Sequence, residues 1–164
     1  MIDHIIHSDL GALLKQLDGN EFRSKRITVT GGAGFIGSWL CDILVLTDAN
    51  VHCLDNLCTG NLANIEHLLK CSNFTFQEFD VTRLTPKIEP CDLIFHLASR
   101  ASPEEYQQHP IETLTANSLG TRNMLELARN NDAPLIYAST SEIYGDAQVI
   151  PTPETYWGNV NPIG

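Results

Sequence analysis

Arg26-Ile27-Thr28-Val29-Thr30-Gly31-Gly32-Ala33-Gly34-Phe35-Ile36-Gly37-Ser38-Trp39-Leu40-Cys41-Asp42 decides the fold. Ile27 and Val29, with Thr28 and Thr30 between them, read as a short buried strand rich in β-branched residues. Gly31, Gly34 and Gly37 follow at intervals of three, and Ile36, Leu40, Ile43 and Leu44 then recur with helical spacing. Strand, glycine turn and helix in succession form the phosphate half of a dinucleotide site. The turn sets backbone against pyrophosphate, which excludes side chains there. The new helix offers its unpaired N–H groups and positive dipole end to the anion. The last glycine lets helix and strand pack closely.

A carboxylate completes the pattern. Asn50 to Asp55 reads as the next strand, and Asp55 lies about 20 residues beyond the glycines, where a ribose-binding acid belongs. An acid at that place favours NAD over NADP, because it repels a 2′-phosphate.

The 164 residues suffice for one domain. A net charge of −10, with no basic run, argues against a nucleic-acid surface. It does not exclude an anionic nucleotide held by backbone amides. The five cysteines, Cys41, Cys53, Cys58, Cys71 and Cys91, form no CxxC pair and no metal spacing, as expected of a reducing compartment. No apolar run approaches the ~20 residues of a membrane span, and no signal-peptide pattern opens the chain. A cytoplasmic location without a membrane partner is the expectation.

Residues 1–25 are expected to form an amphipathic helix and linker ahead of a domain over 26–164. Ile6, Leu10, Leu13, Leu14 and Leu17 mark one helical face, with Ser8 as N-cap and Asp18-Gly19 as stop. His4 and His7 lack a third ligand, so no metal site is expected. After Asp55, a loop to Asn61 leads into a helix expected from Leu62 to about Lys70, then a strand from Phe74 to Phe79. Cys91 to Leu97 is a fourth strand, ending in a His96 expected to be satisfied by backbone rather than to act in catalysis. Ser102-Pro103 starts a further helix.

A long helix is expected from about Ile111 to Asn130. Ile111, Leu114, Leu125 and Ala128 share one face, and Ala116, Met124 and Leu127 another. Pro134 to Ala138 is the fifth strand, and the chain is loop-like from Gly145. Five strands alternating with helices predict a doubly wound, Rossmann-type parallel α/β sheet in the order 3-2-1-4-5.

Thr30-Gly31-Gly32-Ala33-Gly34-Phe35-Ile36-Gly37 resembles the phosphate loop of the extended short-chain dehydrogenase/reductases. His96-Leu97-Ala98-Ser99, Asn117-Ser118-Leu119-Gly120-Thr121 and Ser139-Thr140-Ser141-Glu142-Ile143-Tyr144-Gly145 resemble that family's later blocks, in order. The tail from Tyr156 to Gly164 resembles the UDP-glucuronate decarboxylases, in which this block leads into a catalytic Tyr-x-x-x-Lys. Two positions depart from the pattern: Thr115 stands where many members have lysine, and Arg100 where many have proline.

The resemblance implies residue roles. Gly31, Gly34, Phe35, Ile36 and Gly37 would surround the pyrophosphate of NAD. Asp55, Asn56, Thr59 and Gly60 would hold the adenosine ribose and its phosphate. Asp80 and Val81 would flank the adenine, and Leu97, Ala98 and Ser99 would line the path to the nicotinamide. Thr140 would hydrogen-bond the reacting hydroxyl of a UDP-sugar, and Glu142 would lie beside the sugar. The implied reaction oxidises the C4 hydroxyl with NAD, loses CO₂ from the β-keto acid and returns the hydride. Its base is a tyrosine whose pKa is lowered by lysine.

None of the four tyrosines here is followed by a lysine four residues on. The chain is therefore expected to be a cofactor-binding part, inactive alone, and the resemblance implies that the complete enzyme pairs into a homodimer through the helix from Ile111. The face bearing Ala116, Met124 and Leu127 is expected to lack cover. A non-catalytic NAD-binding module, a 4-epimerase and a 4,6-dehydratase remain alternatives, though dehydratases usually carry aspartate where Ser141 stands.

Overall fold

The computed structural model describes residues 2–17, 21–83 and 90–161. Its centre is a five-stranded sheet in which every pairing is parallel. The strands are β1 (Arg26–Thr30), β2 (Asn50–Asp55), β3 (Phe74–Glu78), β4 (Leu93–His96) and β5 (Leu135–Tyr137), ordered β3-β2-β1-β4-β5. This is the order expected from right-handed crossovers. β1 is covered on both faces, so Thr28 and Thr30 are as buried as Ile27 and Val29. Successive residues of β4 serve opposite faces. Leu93 joins a cluster with Ile27, Leu44, Val51 and Phe74, while Ile94 joins Val81, Met124, Leu127 and Ala128.

α1 (Ile2–Leu14) packs on α2 (Phe35–Leu46), burying Leu10. Ser8 is not the N-cap, because the helix begins six residues earlier and Ser8 falls in its interior. The expected stop at Asp18-Gly19 lies outside the described residues, as do the side chains of His4 and His7. The helix expected over Leu62–Lys70 is instead two 3₁₀ turns, Leu62–Asn64 and Glu66–Lys70. Asn61 caps the first by accepting the Ala63 amide at 3.0 Å.

Beyond β4 come α3 (Pro103–Gln108), α4 (Pro110–Thr115), a π turn (Ala116–Gly120) and α5 (Thr121–Asn131). The π turn falls where Thr115, Ser118 and Thr121 each donate a side-chain hydrogen bond back to the carbonyl four residues earlier. Such bonds compete with the helical ladder. The turn holds an extra residue, so α4 and α5 do not share one 100° register.

The expectation for the two faces of this helix needs correction. Met124 is fully buried, and Leu127 and Ala128 pack with it beneath the sheet, Ala128 standing one turn after Met124. The face turned to solvent carries Ile111, Leu114 and Leu125. Met124→Lys, which on the uncovered-face reading improves solubility, therefore places an ammonium in the core. It is expected to cost about 3 kcal/mol or more. Leu114→Lys, on the solvent face, is expected to stay within about 0.5 kcal/mol. Urea unfolding of the two variants checks both values.

Candidate functional site

Backbone contacts hold part of the glycine turn. Gly31 has φ +71° and donates its amide to the Leu54 carbonyl at 2.8 Å. A Cβ there would lie 2.9 Å from the Leu97 carbonyl carbon and the Ala98 nitrogen. A Cβ on Gly37 would lie 2.1 Å from the Gly31 carbonyl oxygen, so α2 meets β1 at a distance only glycine allows. Gly34 is the N-cap of α2, with no side chain capping it. The amides of the first turn, from Phe35 on, have no intrahelical acceptor and face the cleft.

Asp55 closes the other side. Its carboxylate accepts the Ala33 amide at 2.9 Å and the Leu57 amide at 2.8 Å. Two oxygens offer about four acceptor positions, so capacity remains for a ligand hydroxyl. Gly60 passes so near that a Cβ would stand 2.8 Å from Asp55 Oδ1.

A cleft of about 1340 Å³ opens at the C-terminal edge of the sheet, across the switch point between β1 and β4. It brings together Gly31, Gly34, Phe35, Ile36, Gly37, Asp55, Asn56, Thr59 and Gly60 on one side. Asp80, Val81, Leu97, Ala98, Ser99, Thr140 and Glu142 join them, so no sequence-predicted site residue lies elsewhere. Asp80 accepts the amide and hydroxyl of Thr82 at 2.9 and 2.8 Å. Thr140 accepts the Glu142 amide at 3.2 Å, which leaves its hydroxyl hydrogen available.

Sequence reasoning missed the residues that hold the cleft in shape. Asn123 of α5 donates to the carbonyls of Val81 and Arg83, at 2.8 and 2.5 Å, pinning the loop after β3. His96 is fixed by side chains, not by the backbone partners expected of it. Thr30 Oγ1 accepts the amides of Leu97 and Ala98, so its hydrogen goes to His96 Nδ1 at 2.7 Å. Thr121 donates to the Asn117 carbonyl, so its oxygen accepts His96 Nε2–H at 3.2 Å. That assigns the tautomer: His96 is neutral with its proton on Nε2. The later blocks of the sequence carried a signal for this, since His96 and Thr121 both fall in them.

A doubly wound sheet with a glycine turn at its switch point defines a Rossmann-type nucleotide-binding domain. The chain belongs to the NAD dependent epimerase/dehydratase family, whose model matches residues 27–163. It is 50% identical over 140 residues to UDP-glucuronic acid decarboxylase 1 of Xenopus tropicalis, covering 85% of this chain and 33% of that protein. A crystal structure of UDP-galactose 4-epimerase superposes with a TM-score of 0.72 at 36% identity, over 82% of this chain and 45% of the other. UDP-glucose-4-epimerase from Stenotrophomonas maltophila, solved with bound NAD and formylated UDP-arabinopyranose, gives 0.72 at 25% identity. It is matched over 82% of this chain and 43% of its own. The chain thus spans about a third of that curated relative and under half of these solved structures.

Burial pulls His96 from the ordinary 6.5 down to about 4. The unfolded chain therefore takes up the proton first, so this contribution is complete above pH 6.5 and is lost as pH falls toward 4. The loss is expected to reach about 3 kcal/mol. His52 is lowered in the same direction by its own burial. Urea unfolding between pH 7 and 4.5 should show the decline, and His96→Gln should flatten it by the His96 share.

Proposed function

We propose that residues 26–164 are the NAD-binding part of a nucleotide-sugar-modifying enzyme, a UDP-glucuronate decarboxylase, with residues 1–25 as an appended helix and linker. The observation that carries this reading is the cleft that the glycine turn and Asp55 line together with Thr140 and Glu142. Half-identity to a UDP-glucuronic acid decarboxylase supports the choice of substrate. On this reading the enzyme is a cytoplasmic homodimer.

The residues present fit a dinucleotide: a turn of three glycines and an alanine, the open N-terminus of a 12-residue helix, and a carboxylate with acceptor capacity left. NAD, when bound, supplies a reversible hydride acceptor. The amides at the start of α2 would hold its pyrophosphate, with Gly31, Gly34 and Gly37 keeping side chains away. Asp55 would accept ribose hydroxyls, helped by Asn56, Thr59 and Gly60. Asp80 and Val81 would border the adenine, and Leu97, Ala98 and Ser99 the nicotinamide. Thr140 would orient the sugar hydroxyl that reacts, and Glu142 would stand beside the sugar. Nothing in these 164 residues takes the proton as a lysine-assisted tyrosinate would, so the chain binds and orients without completing the reaction.

Calorimetric titration should show NAD binding more tightly than NADP; equal or tighter NADP binding refutes the assignment of Asp55. Asp55→Ala should weaken NAD by about 1–3 kcal/mol and narrow the gap to NADP. The ratio is the cleaner readout, because Asp55 also anchors the Ala33 amide. Incubation of the purified chain with NAD and UDP-glucuronate should release no CO₂ at enzymic rates.

A further inference from the structure

Charge within the cleft is uneven. Among the described residues that line it, five are acidic, Asp55, Asp80, Glu105, Glu112 and Glu142, and Arg100 alone is basic. A site for a ligand carrying several negative charges would ordinarily hold more than one cation, so the place of this arginine matters. It follows Ser99 in the loop after β4, on the far side of the switch point from Asp55. It lies on the same side of that point as Thr140 and Glu142, which come after β5.

Arg100 is also short of partners. Its side chain is 15% exposed, and Nη1 donates to Glu105 Oε2 at 2.5 Å. That is its one hydrogen bond among the described residues. A guanidinium has five N–H donors. A largely desolvated cation with one of them used is held by its neighbour yet poorly satisfied by it. Occupation of Nη1 leaves the edge formed by Nε and Nη2 open, and that edge matches both oxygens of a carboxylate. The chain uses the same edge elsewhere: Arg26 grips Asp92 through Nε at 3.1 Å and Nη2 at 2.6 Å. Glu105, half-exposed beside Arg100, keeps the guanidinium in place with its own carboxylate.

We propose that Arg100 is a specificity-determining residue, its open edge receiving the carboxylate of a nucleotide-linked uronic acid while Glu105 positions it. The proposal rests on the nucleotide-sugar reading above. A neutral sugar offers that edge only hydroxyls and leaves the cation undercompensated in an acidic cleft. Recognition of the acidic sugar is thus a property of residues within this chain.

The test is calorimetry on the NAD-loaded chain with UDP-glucuronate, UDP-glucose and UDP. The unaltered chain should prefer UDP-glucuronate to UDP-glucose by about ten- to a hundredfold. Arg100→Met should erase that preference while leaving UDP-glucose affinity in place. Arg100→Lys, which keeps the charge without the fork, should retain part of it, and Glu105→Gln should keep the preference. Titration with NAD reports whether each variant is folded, and if Arg100→Met is not, Arg100→Lys and Glu105→Gln carry the comparison. A chain that binds NAD but shows no preference between the two sugars, or no binding of UDP-glucuronate, overturns the proposal and leaves the NAD assignment standing. Equal weakening of both sugars and of UDP by Arg100→Met moves Arg100 to the diphosphate and overturns it as well. Failure of the unaltered chain to bind NAD overturns the functional reading and this inference together.

Discussion

One bond ties the architecture of the cleft together: the Ala33 amide donating to the buried carboxylate of Asp55. It joins the middle of the glycine turn to the end of β2 and so sets two strand ends at fixed separation. The turn is held besides by the Gly31 amide on the Leu54 carbonyl and by the Ala33 carbonyl, which accepts the Asn61 amide at 3.0 Å and Asn64 Nδ2 at 2.9 Å. Hydrogen bonds to an ionised acceptor are about twice as strong as neutral ones. An acid whose proposed role is recognition is thus also a structural fastener, and Gly60 and Ala33 are small where they meet it.

A second tie crosses the switch point. Thr30, His96 and Thr121 form one hydrogen-bonded line from β1 through β4 to the head of α5, with every donor directed. The line is buried, where an unpaired member would be expensive. It explains why a histidine stands at a strand end without serving as an acid or base: burial keeps it neutral, and each ring nitrogen is already committed. The glycine turn, the end of β4 and the helix facing them are consequently positioned as a unit.

Much of this was legible in the residues. Alternating hydrophobic strands and glycine punctuation sufficed for the sheet order, because right-handed crossovers leave few choices. The candidate site residues converge on one cleft because each sits at a strand end or just after it, and a parallel sheet sends all such ends to one edge. What escaped was set by side chains meeting across long sequence gaps. Asn123 reaching Val81 and Thr121 reaching His96 leave no periodic trace. Helical spacing set Met124 and Leu127 apart from Leu125 but put Ala128 on the wrong face, and it carried no sign of which face met the sheet. The 3₁₀ turns after Asn61 replaced a regular helix where only Ile65 and Leu68 are buried, too narrow a stripe to hold one.

The π turn at Ala116–Gly120 has a consequence for how this segment can change. Its surplus residue lies between α4, which borders the cleft, and α5, which holds the loop after β3 and the head of the histidine line. Loss of any one residue there would let the two helices fuse into a single regular α-helix with a satisfied backbone. Because the wide turn takes up that residue locally, α5 would keep its facing, and Thr121, Asn123 and Met124 their partners. The segment is therefore constrained in its count of residues everywhere but at this turn: a single deletion within α5, which has no surplus to give up, would turn the residues beyond it by about 100° and break the bonds they make.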